Sequence, residues 1–121
     1  MSRPTHAGGV VFRLTAKGPR YLLVEASGAR RRWVFPKGRV ENGETAAAAA
    51  QREVSEEAGV RGRSIRRLRS VEQKKAGERI FIVYYLMAYA GRTTQLEKRK
   101  TRWFAVDEAL EASRCLPPRR S

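Results

Sequence analysis

The stretch Gly38–Val60, GRVENGETAAAAAQREVSEEAGV, decides how the rest of the chain is read. Ala46–Ala50 is an unbroken run of alanine, the residue with the highest helix propensity, and it predicts a helix over Thr45–Ala58. Thr45 stands at the N-cap, although Ala48 lacks the side chain that would complete a capping box. Gly59 stands where a C-terminal glycine stops a helix. On this helix Glu53, Glu56 and Glu57 fall at i, i+3 and i+4, so the three carboxylates share one face. Adjacent like charges repel. Arg52, spaced i, i+4 from Glu56, offsets part of that repulsion, and a divalent cation would offset the rest. All-oxygen ligation suits a hard cation, Mg²⁺ or Mn²⁺, and Mg²⁺ commonly combines a few carboxylates with substrate phosphates.

On charge pattern alone, such a triplet also fits a solvated acidic helix face. Its neighbours argue for a site. Gly38 is followed after five residues by Glu44, and after seven more by Arg52, Glu53 and the apolar Val54; Glu56, Glu57, Gly59 and the apolar Val60 complete the set. This spacing resembles the signature of the Nudix hydrolases at every defining position. The resemblance implies an α/β fold, an α/β/α sandwich with a mixed sheet and a catalytic loop-helix-loop. It implies metal-dependent cleavage of a phosphoanhydride in a nucleoside diphosphate linked to another moiety. By the same resemblance Glu53 and Glu57 bind Mg²⁺ or Mn²⁺, Glu56 is a further ligand, and Gly38 offers its carbonyl oxygen. Arg52 orients the carboxylates, and Glu44 positions Arg52 or the loop. Glu97 lies five residues before Arg102-Trp103-Phe104, where relatives often supply another carboxylate to the metal site or a base. The base is Glu53 or Glu97, and the sequence leaves both open.

The segment leading into the signature, Trp33-Val34-Phe35-Pro36-Lys37-Gly38, resembles the diadenosine polyphosphate hydrolase branch through its Pro-Lys-Gly. Lys37 is a point charge suited to a phosphate. Trp33 either plugs the core or stacks on a base. Arg32, the last of three consecutive arginines in the loop Ser27–Arg32, joins Lys37 and Trp33 as a substrate-binding candidate.

Composition bounds the remaining possibilities. The 121 residues suit one domain over 1–121 that buries a core without disulfides. The single cysteine, Cys115, excludes an internal disulfide and fits a reducing compartment; the single histidine, His6, excludes a zinc cluster. Cys115 sits in a polar, proline-rich stretch without a histidine nearby, which argues against a nucleophile. Met1–Gly9 carries no long apolar run, and the longest apolar stretch, Ile80–Ala90, is too short to span a bilayer. These features read as a soluble, cytoplasmic protein without membrane association; oligomeric state is open. The net charge is +14, with 20 Arg, 6 Lys and Asp107 as the sole aspartate. Such a surface favours polyanions, although a codon bias towards arginine and alanine produces the same composition.

Outside the signature, Thr5–Leu14 and Tyr21–Glu25 read as strands joined by a turn at Lys17-Gly18-Pro19. Val60–Val71 begins as a strand but carries five arginines and lacks clean alternation. Gln73–Glu78 reads as a hairpin turn around Gly77, Ile80–Tyr89 as a central strand, and Ala90–Lys100 as a loop. Trp103-Phe104 reads as a short strand, Val106–Ala112 as a second helix with Asp107 near its start, and Leu116–Ser121 as a disordered tail. The substrate expectation is a nucleoside polyphosphate, first a diadenosine polyphosphate. Inositol pyrophosphates, 5′-triphosphate RNA and an oxidised nucleotide such as 8-oxo-dGTP are the alternatives. A non-catalytic module holding RNA or another polyanion is the reading from a different class, and the retained Arg52, Glu53, Glu56 and Glu57 weigh against it.

Overall fold

The computed structural model describes residues 3–26 and 32–113. Arg30, Arg31, Cys115 and the tail Leu116–Ser121 lie outside these residues. In chain order the elements are β1 (His6–Thr15), β2 (Gly18–Glu25), β3 (Trp33–Val34), β4 (Lys37–Arg39), α1 (Ala46–Ala58), β5 (Val60–Lys75), β6 (Glu78–Arg92), β7 (Thr101–Ala105) and α2 (Val106–Ala112).

The strands join one mixed sheet in the order β3-β2-β1-β6-β5, with β4 also paired to β1 and β7 to β2. Only the β1–β6 pair is parallel among these ladders. Side-chain alternation along β2 distributes the core to two faces. Leu22 and Val24 point to α1, where Ala49, Ala50 and Val54 meet Ala7, Val11, Val83 and Met87. Leu23 points the other way and joins Phe104 and Ala109 of α2, with Tyr21, Trp33 and Phe35 packed around them. The alanine run therefore serves packing as well as propensity: two of its members let α1 settle directly on the sheet. Val54 is fully buried there, a burial that contributes about 2 kcal/mol by transfer alone. The result is the α/β/α sandwich that the resemblance implied.

The signature helix has the caps its sequence calls for. Thr45 Oγ1 accepts from the Ala48 N–H at 3.1 Å. Gly59 takes the left-handed conformation (φ 69°) that a side chain would strain, and its N–H donates to Ser55 O. At the start of α2, Glu108 reaches back to accept from the Ala105 N–H at 3.2 Å.

Two hairpins differ from expectation. The turn expected over Gln73–Glu78 narrows to Ala76–Gly77, because the ladder continues to the pair Lys75–Glu78. Both turn residues have positive φ, 51° and 81°, the geometry whose twist matches two antiparallel strands. At Lys17-Gly18-Pro19 the ladder instead reaches the pairs Thr15–Gly18 and Leu14–Pro19, leaving Ala16–Lys17 as the turn. Ile80–Tyr89 lies inside the sheet as expected, as part of β6 between β1 and β5. No helix among the described residues is long and apolar enough to cross a membrane.

Candidate active site

The signature helix presents its carboxylates to the start of β4 and to the segment that follows β6. One carboxylate oxygen from each of Glu53, Glu57 and Glu97 lies within 4.8 Å of the others. Glu53 and Glu57 are buried, at 8% and 3% exposure, whereas the Glu97 side chain is 40% exposed. Gly38 makes room for this arrangement. A Cβ at Gly38 would fall on the Glu53 carboxylate, so only a glycine lets that carboxylate rest on the β4 backbone.

Arg52 organises the near side. Its Nε and NH2 donate to the two Glu44 oxygens at 2.7 and 2.9 Å, the paired geometry that suits a planar guanidinium. NH1 donates to Glu53 Oε2 at 2.9 Å, and NH2 to Arg39 O at 3.0 Å. One side chain thus ties the loop before the helix, strand β4 and a buried carboxylate together. Glu44 in turn accepts from the Glu41 N–H at 3.0 Å. The Arg52 bonds, then the Glu41 bond, hold the Glu44 carboxyl down at about 2. Its carboxylates keep Arg52 firmly protonated.

The far side is built from the end of α1. The last carbonyls of a helix lack intrahelical partners. Here a single segment satisfies them: Glu56 O accepts from the N–H groups of Leu96 and Glu97, both at 3.0 Å, and Gly59 O from Thr93 N–H at 2.8 Å. Gln95 Nε2 donates to Glu57 O at 2.7 Å, and the Ser55 and Thr93 hydroxyls meet at 2.8 Å. These bonds bring Glu97 to the other two carboxylates. Glu56 therefore anchors this segment through its backbone carbonyl. Its carboxylate stands 3.4 Å from Arg52 NH1, outside the cluster of three.

Burial first, and then the proximity of Glu53 and Glu97, push Glu57 up to about 8, with the Arg99 charge pulling the other way. Three oxygen donors pressed together at this energetic cost fit a hard divalent cation, whose charge would reverse it. Arg99 supplies positive charge from the protein, with Nε on Glu97 Oε1 at 3.0 Å and NH1 3.7 Å from Glu57 Oε1. Sequence reasoning missed Arg99; its two-residue spacing from Glu97 in a basic loop was the one available signal.

The Lys37 N–H donates to Glu57 Oε1 at 3.3 Å. Burial lowers the Lys37 ammonium below its usual range, as do the charges of Lys75, Arg99 and Arg32, while Glu57 opposes them. Arg32 has a buried Nε without a hydrogen-bond partner among the described residues. Trp33 meets Phe104 edge-on at 5.4 Å and packs on the core, the first of its two expected placements. Tyr84 lies beside Phe35 at 6.1 Å, and burial, followed by Glu57, raises its phenol to about 12.

A family model for the NUDIX domain matches residues 4–120. Diphosphoinositol polyphosphate phosphohydrolase 3-beta of Bos taurus is 37% identical over 105 residues, covering 80% of this chain and 62% of the relative. Diphosphoinositol polyphosphate phosphohydrolase 2 of Rattus norvegicus is 34% identical over 102 residues, covering 80% and 56%. The chain therefore spans about three fifths of the length of these curated relatives. Among solved structures, a C. elegans Ap4A hydrolase binary complex superposes with a TM-score of 0.74 at 24% identity, covering 89% of this chain and 84% of the other. A MutT NUDIX hydrolase from Burkholderia pseudomallei superposes with a TM-score of 0.68 at 28% identity, covering 88% and 86%. With its signature intact, its sandwich matched and its carboxylates gathered on the signature helix, this chain belongs to the Nudix hydrolase family.

Proposed function

We propose that the chain hydrolyses a phosphoanhydride bond in a densely phosphorylated small molecule, using Mg²⁺ or Mn²⁺, with a diphosphoinositol polyphosphate as the first substrate class. The observation that carries this reading is a carboxylate trio, two of its members buried, with cations gathered beside it. Arg99 touches the trio through its guanidinium, Lys37 touches it through its backbone N–H with its ammonium within the field of Glu57, and the charges of Lys75 and Arg32 act on Lys37. Several cations around one anhydride suit a substrate that carries further phosphates. Among the described residues the buried Nε of Arg32 has no hydrogen-bond partner, and such a donor suits a phosphate oxygen. The curated relatives support the same substrate class by name.

A second reading is a diadenosine polyphosphate, as the Pro-Lys-Gly entry suggested. The Phe35–Tyr84 pair favours it, since an aromatic surface near the trio suits a base. It ranks second because Trp33, the other stacking candidate, is engaged with Phe104.

In the proposed chemistry Glu53 and Glu57 hold the cation, with Gly38 contributing its carbonyl and Glu56 available as a further ligand. When bound, the cation draws charge from the phosphoryl oxygens and lowers the pKa of the attacking water. Arg52 orients Glu53, and Glu44 holds Arg52 in place. Glu97 is the base, because it is the member of the trio most open to solvent. Arg99 Nε occupies its Oε1, so the proton from water passes to Oε2. Lys37, Arg32 and Arg99 bind phosphates that are not cleaved.

The test is a hydrolysis panel in Mg²⁺ and in Mn²⁺. It covers a diphosphoinositol polyphosphate, diadenosine tetra- and hexaphosphate, nucleoside triphosphates including 8-oxo-dGTP, and 5′-triphosphate RNA. A kcat/KM highest for the diphosphoinositol compound supports the first reading, and one highest for the diadenosine compounds supports the second. Metal-dependent turnover of none of them overturns both and favours a polyanion-binding module.

A further inference from the structure

We infer that the β5–β6 ribbon is a docking surface for single-stranded nucleic acid, separate from the hydrolytic site. Strand β5 is 16 residues long and forms an outer edge of the sheet. It carries Arg61, Arg63, Arg66, Arg67, Arg69 and Lys74, all exposed. None of these six has an ion-pair or hydrogen-bonding side-chain partner among the described residues. The nearby acids offer little neutralisation, since Glu72 is held by Arg79 at 2.9 Å.

The ladder shows how the cations are displayed. Arg63 stands opposite Ala88 and Arg66 opposite Leu86, so the two share the β6 face that carries Ile82 and Tyr84. Arg67 stands opposite Tyr85, on the face packed by α1. The register shifts between Val60 and Gly62, between Ser64 and Arg66, and between Arg67 and Ser70. Such bulges turn a strand and fan its side chains, so the ribbon has charge along its length and on both sides. They also break the flat edge that would otherwise pair with another strand.

A linear array of unpaired guanidinium groups complements a linear array of phosphates better than it does a compact anion. Arginine also donates to a phosphate in paired fashion. Among the cations stand the exposed apolar residues Ile65 and Val71, at 48% and 40% exposure. Ile65 and Val71 offer no ring to stack on, but their apolar surface packs against base faces, which a duplex keeps inside.

The experiment is fluorescence anisotropy of a 5′-hydroxyl single-stranded RNA, which carries no anhydride for the enzyme to cut, over a range of KCl. Up to six phosphate contacts give a log Kd against log salt slope of at most about 4. Removing three charges in Arg63→Ser/Arg66→Ser/Arg69→Ser lowers the slope by about 2 and weakens binding at least ~10-fold at low salt. Hydrolysis by this variant stays at the wild-type rate. The equal-charge control Lys17→Ser/Arg20→Ser/Arg102→Ser, on the β1–β2 turn, β2 and β7 away from the ribbon, keeps the wild-type slope. Equal losses in both triple variants would reduce the effect to net charge and overturn the proposal. So would tighter binding of duplex RNA or of phosphatidylserine vesicles than of the single strand.

Discussion

Gly38→Ala is the most economical perturbation of the site. The added Cβ would lie 2.6 Å from Glu53 Oε1, whereas ordinary contact begins near 3.4 Å. The carboxylate must therefore retreat by on the order of 1 Å, since β4 is held by its pairing to β1. That retreat stretches the Arg52 NH1–Glu53 bond, now 2.9 Å, and displaces one member of the trio. Misplacement of a reacting group by about 1 Å costs roughly 10²-fold in rate, or about 2.7 kcal/mol of transition-state stabilisation. The assay is steady-state phosphate release, with circular dichroism to show that the fold is retained. A second variant isolates the cause. Glu53→Asp shortens the side chain and removes the clash, so adding Gly38→Ala to it should cost little further. Wild-type kcat in Gly38→Ala would refute the reasoning, as would full additivity in the double variant.

Arg52→Met should move acid unfolding to higher pH. The folded-state value of Glu44 lies below its ordinary one, so ionised Glu44 stabilises the fold above about pH 4.5 and that contribution is lost as pH falls towards 2. Circular dichroism against pH reads the shift, and an unchanged midpoint would deny Arg52 that role. Gln95→Leu removes the bonds to Glu57 O and Arg99 O. It should cost about 1 kcal/mol in a denaturant titration and lower kcat on the order of tenfold by loosening the segment that carries Glu97. Mg²⁺ at about 100 times its Kd should add about 2.7 kcal/mol to stability, seen as a rise in Tm. Glu57→Gln should abolish that rise.

The near half of the site was legible because it lies on one helix. Spacing of i, i+3 and i+4 places Glu53, Glu56 and Glu57 on a common face whatever the tertiary fold, and Arg52 and Glu44 are within reach across one loop. The far half was harder to read. Glu97 was named only through the family resemblance: it arrives because the end of α1 leaves carbonyls that residues 93–97 satisfy, and no local pattern in a loop announces such a capture. The same event makes Glu56 a backbone anchor, although its sequence position suggests only a carboxylate. Arg99 escaped notice for a related reason, since a cation in a basic loop acquires meaning only from the carboxylates brought to it. Strand β5 was under-read because its bulges interrupt the alternation by which a strand is recognised. Trp33 was ambiguous because an aromatic before a phosphate loop suits either core or base, and its contact with Phe104 comes from β7, far along the chain.

The central claim is that the trio of Glu53, Glu57 and Glu97 is a metal-dependent hydrolytic centre. The most direct measurement is the initial rate of phosphate release from a diphosphoinositol polyphosphate, titrated with Mg²⁺, for the wild type and for Glu57→Gln. The account predicts a rate that saturates with Mg²⁺, disappears on chelation, and falls at least ~10²-fold in the variant while the fold is kept. A rate indifferent to Mg²⁺, or one preserved in Glu57→Gln, would contradict it.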